Sequence, residues 1–200
     1  MQIPAGVYPR GSGNGNDSKE AMISITTPLT EDVRKGLRAG DEVLLSGTIL
    51  TARDAAHKRL CDTLKKGKPL PLNLTDAVIY YCGPTPARPG RPIGSCGPTT
   101  SSRMDLFTPA LISLGLGGMI GKGDRSDEVR LAIKKHKCVY FLATGGIGAL
   151  LSTKVKSSKI ILYNDLGPEA VHKLEVKDFP LLVGIDSKGR DLYDKARWKK

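Results

Sequence analysis

Aromatic side chains are scarce in this 200-residue chain: they make up 5% of it and include one Trp and three Phe. Proteins hold single-stranded nucleic acid largely by stacking bases on aromatic rings. The shortage argues against such a surface, although a net charge of +11 is typical of proteins that bind nucleic acid or other anions. We therefore expect an anionic partner other than nucleic acid, and keep a basic nucleotide- or RNA-binding module as the alternative from another class.

Metal-binding cysteine motifs are also missing. The four cysteines, Cys61, Cys82, Cys96 and Cys138, form no C-x-x-C pair, so their spacing indicates neither a zinc site nor an iron–sulfur cluster in this chain. The sequence has no apolar signal segment at its amino terminus and no run of about 18 apolar residues, the length that a membrane helix needs. These absences predict a cytoplasmic protein with reduced thiols and no membrane contact.

The positive charge is distributed over two kinds of segment. Most lysines lie in helix-like segments or at the carboxyl terminus, where a solvated face or a helix end accounts for them. Four cations instead occur in loops rich in glycine and proline, where helix electrostatics offers no reason for them: Arg88, Arg91, Arg103 and Lys122. These four are candidates for anion binding, although Arg88 and Arg91 receive no specific assignment.

The composition fits one α/β domain preceded by an arm. Hydrophobic residues make up 40% of the chain and charged residues 26%, which are ordinary values for a globular protein. Residues 1–20 are rich in Gly, Ser, Asn and Asp and offer no face to bury, so they are predicted to form a flexible arm. Residues 21–200 are predicted to form a single domain.

Strand and helix patterns alternate along this domain. Strands are predicted for the apolar segments "AMISITTPL", "EVLLSGTILTA", "DAVIYYCGP", "GGMIGKGD", "CVYFLA" and "KIILYND", with one or two more in "KLEVKDFPLLVGIDSKG". The "DAVIYYCGP" strand is apolar on both faces and is therefore expected to be central in the sheet.

Helices are predicted from their end signals. One runs from Thr30 as N-cap to Gly40, another from Asp54 as cap to Gly67 just past its end, and a third has Ser126 as N-cap. The segment "SRMDLFTPALISLGL" is expected to be helical with either a kink or a restart at Pro109.

The stretch "GPTTSSRMD", residues 97–105, places four hydroxyl side chains in a row. Such residues compete with backbone hydrogen bonds and favour helix starts over helix interiors. Because the N–H groups of a helix start also attract anions, the run Thr99 to Ser102 is a candidate wall of an anion site.

Three cations occur where strands end and helices begin. Arg53 follows a predicted strand, Arg103 lies in the first turn of a predicted helix, and Lys122 lies in a Gly-Lys-Gly turn. In open α/β sheets this edge forms the ligand crevice. Two guanidinium groups suit a substrate with two carboxylates, because arginine binds carboxylate through paired hydrogen bonds. The alternative, that these are surface charges beside a helix cap, stays open.

Two further features each have two interpretations. His57, in the first turn of its helix, either transfers a proton or orients a carboxylate near Arg53, or is a partly buried helix residue. The segment "ATGGIGALLS" after a buried strand resembles a dinucleotide-binding turn, but position 151 is Leu where a third glycine is needed. The glycines are otherwise explained by a tight strand-to-helix turn.

Five motifs, taken together, resemble one family. They are "TARDAAHKR" (51–59), "YCGP" (81–84), "GSCGPTTSSRMD" (94–105), "GKGD" (121–124) and "YFLATGGIGALLS" (140–152). In this order they resemble the β subunit, or carboxy-terminal domain, of class I iron–sulfur fumarases and the related L-tartrate dehydratases, over roughly residues 21–195. The Lys-Gly-Asp and "ATGGIGALLS" motifs are closer to the fumarases.

The resemblance implies a fold, a reaction and a partner. The implied fold is the swivelling β/β/α domain, an α/β architecture of three layers with a mixed central sheet. The implied reaction is the reversible hydration of fumarate to L-malate, or loss of water from a related hydroxy-dicarboxylate. In that family a [4Fe–4S] cluster is ligated by the α subunit rather than by this part. The resemblance thus implies an α subunit with the cluster-binding cysteines, an α2β2 assembly, and no activity for this chain alone.

The resemblance also assigns roles to individual residues. It makes Thr99 the catalytic base and places His57 at the position of the motif histidine, in a catalytic role. The implied substrate-binding residues are Arg53, Thr99, Thr100, Ser101, Ser102, Arg103, Lys122 and Asp124. A threonine hydroxyl is a poor base unless a neighbour lowers its pKa or takes its proton onward, so the role of Thr99 is a hypothesis.

Overall fold

The architecture was obtained from a computed structural model, which describes residues 22–143 and 146–197. The arm predicted for residues 1–20 lies outside the described residues. The strands are β1 (Ile23–Thr26), β2 (Glu42–Thr51), β3 (Val78–Tyr80), β4 (Gly118–Gly121), β5 (Val139–Leu142), β6 (Val155–Leu162) and β7 (Val171–Ile185). The α-helices are α1 (Glu31–Gly36), α2 (Asp54–Lys65), α3 (Thr108–Ile112), α4 (Asp127–His136), α5 (Gly148–Thr153) and α6 (Leu192–Arg197). A first 3₁₀ turn spans Ser101–Met104 and a second spans Asn164–Glu169.

The seven described strands form one mixed sheet in the order β1-β2-β3-β4-β5-β7-β6. Neighbours from β1 to β5 pair in parallel, whereas β7 pairs antiparallel with β5, β6 and also β2. Because β7 reaches both β5 and β2, the strands β2, β3, β4, β5 and β7 close into a ring. The predicted α/β class and mixed sheet are confirmed.

Strand β7 makes this closure possible by changing partners along its length. Its first half pairs with β6 and β2, and its second half pairs with β2 and β5. Asp178, near the middle, has a φ of 51°, in the left-handed region that non-glycine residues rarely adopt. The segment predicted to form one or two strands is therefore a single long, irregular strand.

Alternate residues of the strands feed two apolar clusters, as the period of two along a strand requires. One cluster includes Val43, Tyr80 and Phe141 from β2, β3 and β5. The other combines Tyr81 and Met119 with apolar side chains of α2, α3 and α4. All three residues of β3 are buried between β2 and β4, which confirms its predicted central place.

The helix boundaries follow the end signals in part. Ser126 caps α4 as predicted, since its side chain accepts a hydrogen bond from the Val129 N–H. Gly67 follows the end of α2 with a φ of 67°, also as predicted. The cap assigned to Asp54 is wrong, because α2 begins at Asp54 and Arg53 holds the N-cap position. The carboxylate of Asp54 instead faces two arginines.

Two other helices end earlier than predicted. Thr30 holds the N-cap position of α1 without a side-chain hydrogen bond, and α1 ends at Gly36 rather than Gly40. The long helix expected after the hydroxyl run is divided into the first 3₁₀ turn and α3, and Pro109 lies in the first turn of α3. Proline therefore marks a restart, consistent with its fixed φ and missing N–H. Within the described ranges, no helix is both long and apolar enough to cross a bilayer.

Candidate active site

Asp54 joins the two arginines that the sequence assigned to one site. Its Oδ1 accepts a hydrogen bond of 2.8 Å from Nε of Arg103, and its Oδ2 lies 3.6 Å from Nη2 of Arg53. Arg53 follows the end of β2, and Arg103 lies in the first 3₁₀ turn. The fold thus brings both guanidinium groups to a single carboxylate of the protein.

The Arg53 guanidinium is largely buried but keeps its hydrogen-bonding capacity. Its side chain is 23% exposed, and Nη2 lies 3.4 Å from Oε1 of Glu169. Within the described residues its side-chain N–H groups have no hydrogen-bond partner, and Nε is buried without one. Because an unpaired buried donor costs about 1–3 kcal/mol, this arrangement favours a ligand that accepts hydrogen bonds.

Gly83, just after β3, makes room for that side chain. A Cβ on Gly83 would lie 2.9 Å from Nη1 of Arg53 and 3.0 Å from the carbonyl oxygen of Pro168. Real Cβ atoms essentially never approach another atom more closely than 3.0 Å, so a side chain at this position would displace the guanidinium. Arg53 therefore occupies a slot between Gly83 and the second 3₁₀ turn.

The hydroxyl run lies alongside Lys122. The Thr99 N–H donates to the Tyr81 carbonyl at 2.7 Å, and the Ser101 N–H donates to the Lys122 carbonyl at 2.9 Å. Thr100 and Lys122 form a parallel bridge. Thr99 is half-buried, whereas Thr100 is exposed. The backbone beyond β3 and β4 thus holds Lys122 next to the predicted base.

Ser101 is directed away from this surface. It is fully buried, and its Oγ lies 2.8 Å from the hydroxyl of Tyr140. That tyrosine hydroxyl donates in turn to the Gly123 carbonyl at 2.8 Å, so Ser101 is the donor to Tyr140. Its hydroxyl supports the turn that carries Lys122, whereas Ser102 and Arg103, the next two residues, are exposed.

His57 is enclosed in the interior. Its Nδ1 lies 2.9 Å from the carbonyl oxygen of Arg53 and therefore carries the proton, while Nε2 is buried without a partner among the described residues. The ring packs edge-on against Tyr81 at 5.3 Å and tilted against Phe107 at 6.4 Å. Burial lowers the pKa of His57 to about 4. Its observed contact fixes the backbone of Arg53, and its catalytic role stays a prediction.

Asp124 lies near the start of α6. It is exposed, and its negative charge contributes, after burial, to raising the pKa values of Asp191 and Tyr193. Among the residues that the structure describes, Asp124 forms no hydrogen bond or ion pair with Arg53 or Arg103. Its predicted part in substrate binding is therefore not supported by proximity in the described chain.

Three charged residues that the sequence analysis did not place at the site support it. Asp54 and Glu169 contact Arg53. Arg125 is fully buried, donates from Nε to Asp105 at 2.8 Å, and lies over the Tyr140 ring at 5.0 Å. Arg125 directly follows the Lys-Gly-Asp motif, but sequence alone does not separate a buried arginine from a surface one.

The two unassigned arginines lie at the tip of an ordered loop. Thr85 and Ser95 are paired through their backbones, with the Thr85 N–H donating to the Ser95 carbonyl at 3.0 Å. A turn from Arg88 to Arg91 closes the tip, with Gly90 at a φ of 75°. Both arginines are exposed and form no ion pair within the part of the chain described.

The glycine turn after β5 is explained by packing. Thr144 and Gly145 lie outside the described residues. Gly146 has a φ of 82°, and a Cβ on Gly148 would lie 2.7 Å from the backbone nitrogen of Gly97. A turn and a close backbone approach thus require these two glycines, and nothing observed supports a nucleotide site here.

The cysteines do not fit an iron–sulfur cluster. The ligands of such clusters are thiolates, but all four side chains are buried thiols, and burial raises the pKa of Cys138 to about 12. The hydrogen bond between Cys82 and Cys96 raises the pKa of Cys82 and lowers that of Cys96, so the grouping of the side chains is the deciding observation. Over residues 22–143 and 146–197, no three or more His, Cys, Asp or Glu side chains are grouped as a metal site needs.

Fold and site together define an α/β domain with a cationic, hydroxyl-rich edge at the carboxyl ends of the parallel strands β2, β3 and β4, where ligands of such sheets bind. The chain belongs to the family described as Fumarase C-terminus, whose model matches residues 3–196. The predicted family is confirmed.

The chain is similar to relatives of two different lengths. "Fumarate hydratase class I, aerobic" from Escherichia coli (strain K12) is 42% identical over 199 residues, 97% of this chain and 36% of that protein. "Fumarate hydratase 2" from Leishmania major is 41% identical over 160 residues, 78% of this chain and 28% of that protein. "Putative L(+)-tartrate dehydratase subunit beta" from Methanocaldococcus jannaschii is 38% identical over 177 residues, 86% of this chain and 91% of that protein. The chain thus spans about a third of the fumarate hydratases and nearly all of the tartrate dehydratase subunit.

Proposed function

We propose that this chain is the β part of an iron–sulfur hydro-lyase that reversibly hydrates fumarate to L-malate, at a site shared with an α subunit. The observation that carries the proposal is the Arg53–Asp54–Arg103 arrangement, in which Arg53 keeps unpaired donors. Paired N–H groups of arginine match the two oxygens of a carboxylate. Two guanidinium groups that the Asp54 carboxylate holds close together therefore suit a small substrate with two carboxylates.

The remaining roles follow from position. Thr99, after its hydroxyl proton has passed to a neighbouring group, acts as the base. In dehydration it takes the C3 proton of malate, and the C2 hydroxyl leaves and takes up a proton to become water; in hydration Thr99 returns the proton to C3. The cations Arg103 and Lys122 stabilise the negative charge that develops on the adjacent carboxylate when that proton leaves. Thr100 and Ser102 line the substrate, and Asp124 is retained as a more distant member of the site. His57 acts through Arg53, whose carbonyl it binds.

We assign the [4Fe–4S] cluster to the α subunit, because the cysteines of this chain do not fit one. The relative from Methanocaldococcus jannaschii that is named a subunit beta, and that this chain covers to 91%, supports a part that works with a partner subunit, and we propose an α2β2 assembly in the cytoplasm. The closed strand ring is compatible with the three-layer swivelling β/β/α fold, which we also propose for this domain.

A second candidate reaction is the dehydration of L-tartrate. The relative that this chain covers almost fully carries that activity in its name. Tartrate and malate share two carboxylates and a hydroxyl, so the same arginines serve both. Whether the site prefers malate or tartrate depends on the groups that surround the second hydroxyl of tartrate.

The test is anaerobic assembly of the chain with a cysteine-bearing α subunit, followed by assays with fumarate, L-malate and L-tartrate. We expect fumarate hydration by the assembled complex and none by the chain alone. Absence of activity in the cluster-loaded complex would contradict a hydro-lyase, and activity confined to tartrate would select the second candidate. Salt-dependent retention on RNA, without dicarboxylate binding, would instead favour a nucleic-acid module.

A further inference from the structure

Glu169, the last residue of the second 3₁₀ turn, contacts the site at two points. Its Oε2 accepts a hydrogen bond of 2.9 Å from the Ala55 N–H, in the first turn of α2. Its Oε1 lies 3.4 Å from Nη2 of Arg53. Because the helix start fixes one oxygen, the other is held at a set place beside the guanidinium.

The contact with Arg53 restrains the guanidinium without using its donors. At 3.4 Å the Nη2–Oε1 distance exceeds the usual range of about 2.7–3.2 Å for N–H···O hydrogen bonds. The attraction between opposite charges remains at this distance, and with the Glu169 side chain only 25% exposed it is screened less than at the surface. The N–H groups stay available to a ligand.

The segment that carries Glu169 is itself anchored. The Thr51 hydroxyl, at the end of β2, accepts from the His172 N–H at 3.0 Å, just after the second 3₁₀ turn. At the other end of the turn, Asp165 pairs with Arg59 of α2, but both side chains are exposed, and an exposed ion pair contributes little to holding the turn in place. The turn is thus held mainly by its attachment to the end of β2, the strand that precedes Arg53.

From this geometry we infer that Glu169 is a positioning residue for dicarboxylate binding, which holds Arg53 in the orientation that receives a substrate carboxylate. The inference rests on the proposed function and adds a residue that no motif indicated. A purely structural role, in which Glu169 only satisfies the Ala55 N–H at the start of α2, is the alternative.

The substitution Glu169→Gln separates the two roles. Glutamine keeps an oxygen acceptor for the Ala55 N–H but removes the charge beside Arg53. Asp165→Asn is the matched control, because it removes a carboxylate from the same turn that pairs with Arg59 instead. Glu169→Ala removes both contacts, so the difference in stability between Glu169→Ala and Glu169→Gln measures what the hydrogen bond at the helix start contributes to folding.

The first measurement uses the ¹⁵N-labelled chain by itself. Rotation of the Arg53 guanidinium, followed by NMR and assigned with Arg53→Lys, is expected to be slow in the wild type and in Asp165→Asn and several-fold faster in Glu169→Gln. Equal rotation rates in all three proteins would overturn the inference, whatever the activity of the complex.

The second measurement uses the assembled complex. Glu169→Gln is expected to raise KM for the dicarboxylate about tenfold with little change in kcat, because a contact made equally in ground and transition states is lost. Asp165→Asn is expected to leave both constants unchanged. A lower KM in Glu169→Gln would show that Glu169 competes with the substrate for Arg53 and would overturn the inference, while an inactive wild-type complex would overturn the proposed function instead.

Discussion

The carboxylate of Asp54 accepts a hydrogen bond from Nε of Arg103, 49 residues further along the chain, at 2.8 Å. This bond connects the start of α2 to the first 3₁₀ turn. Arg103 is half exposed and has no other ion pair in the described part of the chain, so Asp54 is what limits the positions of its guanidinium.

Asp54→Asn is therefore expected to lower kcat/KM of the assembled complex by about tenfold to a hundredfold, since small misplacements of a binding group carry costs of that size. Asp62→Asn is a suitable comparison, because Asp62 lies on the same helix and pairs only with exposed Lys58. Equal values of kcat/KM for the two variants would show that the Asp54–Arg103 hydrogen bond does not contribute to catalysis.

Gly83→Ala tests the slot that holds Arg53. The added methyl group would meet Nη1 of Arg53 at 2.9 Å, so the guanidinium has to move, and KM is expected to rise about tenfold. Gly36→Ala places a methyl group where nothing lies within 4 Å and is expected to leave KM unchanged. A Gly83→Ala complex with wild-type KM would show that Arg53 can shift without loss of binding.

His57 predicts a pH dependence of stability. Burial lowers its pKa from 6.5 to about 4 in the folded chain, so between these values the unfolded chain binds more protons. The free energy of unfolding therefore falls as the pH decreases from about 6.5 to about 4, by about 3 kcal/mol for this residue. Denaturant titrations across this range measure it.

His57→Asn should flatten that pH dependence even where its overall stability is lower. The pKa of His172 is also lowered by burial, so a smaller slope of the same sign remains. His136→Asn, at the end of α4, serves as the control. An unchanged pH dependence of the free energy of unfolding in His57→Asn would show that other titrating groups cause it.

Ser101→Ala distinguishes a buried support from a substrate contact. Loss of the hydrogen bond to Tyr140 is expected to lower the free energy of unfolding by about 1 kcal/mol, with KM changed less than twofold. Ser102→Ala, in the exposed neighbour, is expected to leave stability unchanged and to raise KM. A raised KM in Ser101→Ala would return Ser101 to the substrate-binding set.

Features that depend on neighbouring residues were predictable from the sequence. Ser126 caps α4 and Gly67 follows α2, because each acts on backbone groups within a few residues of itself. The positions of Arg53 and Lys122 beyond the carboxyl ends of β2 and β4 were predictable in the same way, because the apolar strand patterns end just before them. The family motifs further indicated that these strand ends lie near the hydroxyl run Thr99 to Ser102.

Features that depend on distant residues were not predictable. Glu169 lies far from Arg53 in the chain, and no local pattern signals their contact. Ser101 and Thr100 are adjacent and chemically alike, yet only Ser101 is buried, because the turn into the 3₁₀ segment directs it toward Tyr140. The closure of the sheet depends on β7 changing partners midway, which alternation of apolar residues does not reveal.

The strand ring also bears on how the site closes on a substrate. Arg53 and Lys122 follow the ends of β2 and β4, and the Thr99 N–H donates to the Tyr81 carbonyl just beyond β3. These three strands are joined by ladder hydrogen bonds within the ring. The strand ends that carry these residues cannot separate without breaking that ladder. Under the proposed function, we therefore expect a ligand to be enclosed by motion of the strand ring as a unit relative to the proposed partner subunit, rather than by movement of these strands against one another.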